Sequence, residues 1–234
     1  MIILGIESSA VSAGAAIVLD GKLLCEYNLC TGLTHSQTLM PLVDNVLKMT
    51  NIDIKDVDVI AVSDGPGSFT GLRIGIGTAK GLAMGADSLV VGVSPLLGLA
   101  YNISLTDAII APIMDARRGE VYNALYKYQN GEIKQVIAAR ALPVSQLASE
   151  LCEEKVMFVG DGVPVCRQSI TEIMGTRALF APENLMYQRA GSIAMAALTL
   201  KAVSYEELVP KYIRKPQAER EFNERVGKHD SSGE

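Results

Sequence analysis

Few side chains in this sequence could do chemistry, and most familiar arrangements fail on residue type or spacing. Histidine occurs twice, at His35 and His229, with no HxxxH or HExxH segment, so a histidine-based metal site is hard to build. Carboxylates alone could hold magnesium, but only beside a nucleotide. A nucleophile triad would have to use His35. Its neighbour Ser36 is adjacent in sequence, and adjacent residues on a helix do not face each other. The pair reads instead as helix-start residues that satisfy backbone groups or face solvent. Residues 64–73 (DGPGSFTGLR) raise the suspicion of a phosphate loop. The template GxxxxGK[ST] is absent and no lysine stands at the helix start, although Arg73 and free N–H groups there could attract an anion. Two acids stand out differently: Glu7 and Asp115 each end an apolar strand and are followed by a short loop.

The elements that must position these groups can be read in order. Residues 2–7, 13–19 and 22–29 are three strands, with Asp20-Gly21 as a type I′ hairpin turn. Residues 34–49 form an amphipathic helix carrying Leu39, Leu42, Val43, Val46 and Leu47 at helical spacing. Pro41 means that this helix either begins there or is kinked. Residues 57–63 are a buried strand, 64–68 a tight loop, and 70–86 a helix with five glycines. Each internal glycine costs about 1 kcal/mol against alanine, so something must offset them. Gly71 and Gly75 are four apart, as are Gly77, Gly81 and Gly85; each set leaves a strip bare of side chains. Such a strip admits a close backbone, either this domain's own or that of another protein or ligand. Both can hold, because a helix has more than one face.

Residues 88–93 then read as a strand and 95–103 as a helix. The pattern now repeats: strands at 108–115, 120–128 and 132–140 with Asn130-Gly131 as the second hairpin turn, a helix at 144–153, a strand at 156–159 and a helix at 162–174. Asp115 takes the place of Glu7. A βββαβα unit made twice implies two α/β lobes facing across a cleft, the architecture of the actin, Hsp70 and sugar-kinase (ASKHA) group. The expected division is a lobe over 1–103, a second over 104–204, and an extended tail over 205–234 whose charged end, from Gln217, reads as frayed. The last apolar helix spans 189–203. In ATP-binding folds of this kind the loops after Glu7 and Asp115 approach phosphates. Here they read Ser8-Ser9-Ala10-Val11-Ser12 and Ala116-Arg117-Arg118-Gly119, and the first lacks the glycine that lets backbone close on phosphate. Weak nucleotide binding or none is expected.

Composition narrows the class further. Net charge is −5 with no dense basic block, which argues against an independent nucleic-acid grip. Cys25, Cys30, Cys152 and Cys166 form no CxxC pair and read as reduced thiols of a cytoplasmic protein. No run of eighteen apolar residues occurs, and the start MIILGIE does not resemble a signal peptide.

ILGIESS (3–9), HSQTLMPLVD (35–44), SDGPGSFTGLRIGIGTAKGLA (63–83), GVSPLLGLA (92–100), MDARRGEVY (114–122) and PKYIRKPQAE (210–219) together resemble the bacterial TsaB (YeaZ) family. The resemblance runs through nearly the whole chain, is weakest over 145–182, and has GPGSFTGLR as its most specific part. It implies a non-catalytic partner of the transferase TsaD, which it resembles in fold. With TsaD and the ATPase TsaE it would serve threonylcarbamoyl transfer to the adenosine beside the anticodon of tRNAs reading codons that begin with A. The group comes from an adenylate made by a separate synthase. It further implies that ATP and metal belong to the partner subunits and that tRNA is met through the complex. The transferase holds metal with a His-x-x-x-His segment whose counterparts here look like Pro95 and Leu99, neither able to ligate. By the same resemblance, the first helix and the glycine-rich helix would pack against TsaD, or against a second copy of this chain when TsaD is absent.

The side chains expected at that surface, from apolar spacing, are His35, Leu39, Leu42, Val43, Val46, Arg73, Ile74, Gly77, Thr78, Gly81 and Met84. No catalytic, cofactor or metal residue is assigned. The competing readings are a stand-alone ATPase or small-molecule kinase of the same fold, which needs Glu7 and Asp115 around magnesium, and a metallopeptidase, which needs ligands this chain lacks.

Overall fold

The computed structural model describes residues 1–103 and 106–214. It contains two five-stranded mixed sheets of the same design. The first has the order β3-β2-β1-β4-β5, built from β1 (Ile2–Glu7), β2 (Ala13–Leu19), β3 (Lys22–Leu29), β4 (Val59–Ser63) and β5 (Leu89–Val93). The second, read in the matching direction, has the order β8-β7-β6-β9-β10, from β6 (Ile109–Asp115), β7 (Glu120–Gln129), β8 (Glu132–Pro143), β9 (Val156–Val159) and β10 (Ala178–Phe180). In each, the first strand pairs antiparallel with the second and parallel with the fourth. The duplication and the two-lobed ASKHA-like α/β class are therefore present element for element, and the repeat extends one parallel strand further than expected, because the expected strand β5 has a counterpart in β10. Three residues in β10 are too few to give a periodicity signal.

Both hairpin turns form as their residues dictate. Asp20 and Gly21 have φ of 48° and 79°, and Asn130 and Gly131 have 53° and 85°. Two successive positive φ values are what a type I′ turn requires.

Helices cover the sheets. In the first lobe, α1 (His35–Thr50) and α2 (Phe69–Ala86) lie on one face, packing Leu39, Val43, Val46, Ile76 and Ala79 against Leu4, Ile6, Ile60 and Val62. Alternate residues of the same strands, Ile3, Val59, Ala61, Val91 and Val93, face the other way. Because both faces are covered, β1 and β4 read as continuous apolar runs rather than alternating ones. The other face is covered by α7 (Ala190–Ala197), with Ile193 and Ala194 in that core. Its backbone crosses β1 so closely that a Cβ on Gly5 would collide with the Ala190 carbonyl oxygen. Conversely, α3 (Pro95–Tyr101) contributes Leu96, Leu99 and Ala100 to the core of the second sheet. That core is completed by α4 (Val144–Glu150) and α5 (Val163–Met174); the short α6 (Glu183–Met186) adds Met186. The last helix of each half thus packs on the other half's sheet and ties the lobes together.

Three expectations are refined. The first helix begins at His35 and continues with Pro41 inside it, on the exposed side. The last apolar helix ends at Ala197, not near Val203. Val203 instead pairs antiparallel with Val90, with both main-chain hydrogen bonds at 2.9 Å, so the chain runs back along the edge of β5. Within residues 205–214, Leu208 is buried in the first core. The charged end expected from Gln217 lies outside the described residues.

Candidate functional site

Two regions carry the residues singled out by sequence: the cleft between the lobes and the outer faces of α1 and α2.

The cleft encloses about 570 Å³. One wall is formed by Ser9, Ala10 and Val11 with residues 66–70, the other by Met114, Asp115, Ala116, Arg117 and Tyr122; Tyr212, Ile213 and Arg214 also line it. Asp115 reaches this space, accepting from the Arg117 backbone N–H at 2.7 Å and pairing with the Arg117 guanidinium at 3.3 Å. Asp161 also lines it, held by Gln188 at 2.6 Å, and burial pushes its carboxyl above the usual range.

Glu7 does not share that space. It is fully buried. One oxygen accepts from the Ser9 N–H and hydroxyl, each at 2.6 Å, and the other accepts from the Ser63 hydroxyl. Burial raises its carboxyl above the ordinary value, against the pull of these hydrogen bonds. The acid pair that a magnesium-dependent kinase would need is therefore not brought together at the cleft.

The loop after Glu7 is engaged as well. The Ser9 carbonyl accepts from the Ser68 N–H at 2.7 Å, and the Ser8 hydroxyl donates to the Gly71 carbonyl at 2.9 Å. A Cβ on Gly71 would strike the Ser8 carbonyl oxygen, and one on Gly75 the Ser8 hydroxyl. The N-terminal half of α2 sits directly on the loop that a nucleotide-binding relative would use for phosphate. His35 joins this cluster: its Nε2–H donates to the Ala10 carbonyl at 2.7 Å. That is the backbone-satisfying role its position at a helix start suggests.

The helix faces divide the expected surface residues into two groups. Leu39, Leu42, Val43 and Val46 are at most 5% exposed and lie in the first core. This corrects their placement at a partner surface: their i, i+3, i+4, i+7 spacing is the signature of a core-facing stripe, and the sheet takes it. Arg73, Gly77, Gly81 and Met84 are exposed, and Ile74 and Thr78 are half-buried beside them. With Thr70 they form one continuous stripe along the outside of α2. A Cβ on Gly77, Gly81 or Gly85 would meet nothing within 4 Å among the described residues. Met40 and Met49, which the sequence shows enlarging the apolar surface of α1 outside the Leu39/Val43/Val46 stripe, lie on its outside, 46% and 69% exposed.

Pro95 and Leu99 are buried in α3. Among the described residues, no helix is long and apolar enough to cross a membrane.

A family model described as TsaD, tRNA N6-adenosine threonylcarbamoyltransferase, matches residues 31–222. The tRNA threonylcarbamoyladenosine biosynthesis protein TsaB of Bacillus subtilis is 34% identical over 96% of this chain and 99% of its own length. The protein of the same name from Haemophilus influenzae is 29% identical over 91% of this chain and 93% of its own. The solved structure of YeaZ from Pseudomonas aeruginosa superposes with a TM-score of 0.76 at 28% identity, covering 90% of this chain and 99% of that one. The chain belongs to the TsaB family, named for tRNA threonylcarbamoyladenosine biosynthesis, within the wider group that the TsaD model describes.

Proposed function

We propose that this chain is a non-catalytic scaffold and activating subunit of the tRNA threonylcarbamoyl-transfer machinery. It pairs with TsaD through the outer face of α2 and the exposed side of α1, and self-associates through the same face when alone. TsaE joins the complex, tRNA is met through it, and ATP and metal are held by the other subunits. The setting is cytoplasmic.

One observation carries this reading. Gly77, Gly81 and Gly85 cost α2 about 1 kcal/mol each against alanine, and none of the described residues packs on them. A backbone from another chain would use the room they leave. Met84 on α2, and Met40 and Met49 on the exposed side of α1, supply adaptable apolar area. The engagement of Glu7 by Ser9 and Ser63, and of the Ser8–Ser9 loop by Ser68 and α2, supports a subunit that leaves phosphate chemistry to its partner.

The test is reconstitution. TsaD, TsaE, threonylcarbamoyl-adenylate and unmodified tRNA are combined with and without this chain, and modified adenosine is counted. Modification that needs this chain, together with absence of ATP hydrolysis by the chain alone, is the expected result. Hydrolysis by the purified chain that disappears in Asp115→Ala would overturn the proposal in favour of a stand-alone ATPase or kinase.

A further inference from the structure

After Val203 the chain runs along the first lobe and then crosses the mouth of the cleft. Residues 211–214 hold both sides of it. On the first lobe, the Lys211 N–H donates to the Asp64 carbonyl at 2.6 Å, and its ammonium pairs with the Asp64 carboxylate at 2.8 Å. That carboxylate is buried, with its second oxygen unpartnered among the described residues. The Lys211 carbonyl lies so close to Gly65 that a Cβ there would collide with it, and Gly65 has φ of 126°. Only glycine suits that position. The Tyr212 ring lies 5.1 Å from the Phe69 ring, and Arg73, seated over Phe69, donates to the Tyr212 hydroxyl at 3.3 Å. On the second lobe, Arg214 pairs with Glu120 at 2.6 Å and lies 6.0 Å from the Tyr122 ring. Only 17% of the Arg214 side chain is exposed, so this pair is shielded from the screening that weakens surface ion pairs.

We propose that residues 211–214 are a latch between the lobes. The crossed helices α3 and α7 tie the lobes on one side, and the latch ties them at the mouth of the cleft. Two-lobed folds with a ligand in the cleft respond by hinge closure; here a covalently attached segment spans the opening and holds one closure without a ligand. The DGPGSF loop, Asp64 to Phe69, is the receiving surface on the first lobe. The glycine at its second position and the aromatic at its end are explained by the seat they offer to Lys211 and Tyr212. This inference is independent of the partner proposed above.

The test measures the cleft width directly. Spin-labelled p-acetylphenylalanine replaces Thr70 and Val165, exposed residues on opposite walls of the cleft, so the native cysteines stay untouched. Double electron–electron resonance on this labelled chain, diluted with unlabelled chain so that only distances within one copy are read, is expected to give a single narrow distance distribution. Tyr212→Ala combined with Arg214→Ala is expected to shift the distribution by several ångströms towards longer distances and to broaden it. If that variant does not fold, Arg214→Gln alone is read in the same way. The charge swap Arg214→Glu with Glu120→Arg is expected to return the distribution towards the narrow native one. An unchanged distribution in a folded latch variant would overturn the proposal. A swap that stays as open as the alanine variant would overturn the assignment of Glu120 as the second anchor.

Discussion

On α2, Gly71 and Gly75 press on Ser8, where any side chain would collide with the loop after Glu7. Gly77, Gly81 and Gly85 begin six residues further on, about 240° round the helix at about 100° per residue, and face open space. The same residue type in the same helix answers two different demands. The first stripe continues into Ala79 and Ala83, both fully buried, so small residues bring the whole inner line down onto the sheet and the Ser8 loop. Its cost is offset inside the chain by close packing and by the Ser8, Ser9 and Ser68 hydrogen bonds. The second stripe has no such return among the described residues. The difference separates glycine required by the fold from glycine that the fold alone does not explain.

The largest effect should come from the inner stripe. Gly75→Leu forces a branched side chain into the Ser8 hydroxyl and Val62, and is expected to cost about 3 kcal/mol or more, the top of the overpacking range. Urea denaturation would read this as a lowered midpoint or as loss of a cooperative transition. A native-like midpoint would remove the distinction between the stripes. The outer stripe should respond with the opposite sign. Gly77→Ala is expected to stabilise the isolated chain by about 0.5–1 kcal/mol, since it gains helix propensity and meets nothing; a destabilised variant would show that the stripe is packed after all.

The smallest effect concerns Glu7, beneath the inner stripe. Its carboxyl is raised by burial, so between the ordinary carboxylate range and its folded value the native state binds more protons than the unfolded state. The stability it contributes is fully present below the unfolded pKa and is lost as pH rises through the folded one. Glu7→Gln can keep the hydrogen bonds to Ser9 and Ser63 without the charge. Its melting temperature is expected to exceed that of the unsubstituted chain at neutral pH, with the gap opening as pH rises from the acid side. A gap that opens on acidification instead would contradict the buried, raised carboxyl.

Much of this was legible in the sequence, for physical reasons. The two hairpins were readable because Asp-Gly and Asn-Gly tolerate the positive φ of type I′ turns. The duplication was readable because each half opens with an apolar strand ending in an acid. The two glycine stripes were visible from their four-residue spacing. Gly77 and Gly81, expected outward with Arg73, Ile74, Thr78 and Met84, do face outward, and Leu72, Ile76, Ala79 and Ala83 share the side of Gly71 and Gly75 and point to the core. The same apolar spacing on α1 marks Leu39, Leu42, Val43 and Val46, expected at the partner surface, as core. The cleft was harder. That Glu7 is consumed by Ser9 and Ser63, 56 positions away in the latter case, depends on strand order. The crossing of residues 211–214 to Glu120 depends on the fold as a whole, and no local pattern announces it.

The central claim is that the outer stripe of α2 is a protein-docking face, and multi-angle light scattering tests it most directly. The unsubstituted chain and the Gly77→Leu/Gly81→Leu variant are each measured alone and with TsaD. Leucine on an exposed helix face should leave this chain folded and no less stable, while filling the room a partner backbone needs. The account predicts a one-to-one complex for the unsubstituted chain and a loss of association of at least about tenfold, roughly 1.4 kcal/mol, for the variant. A folded variant that binds TsaD as tightly as the unsubstituted chain would contradict it.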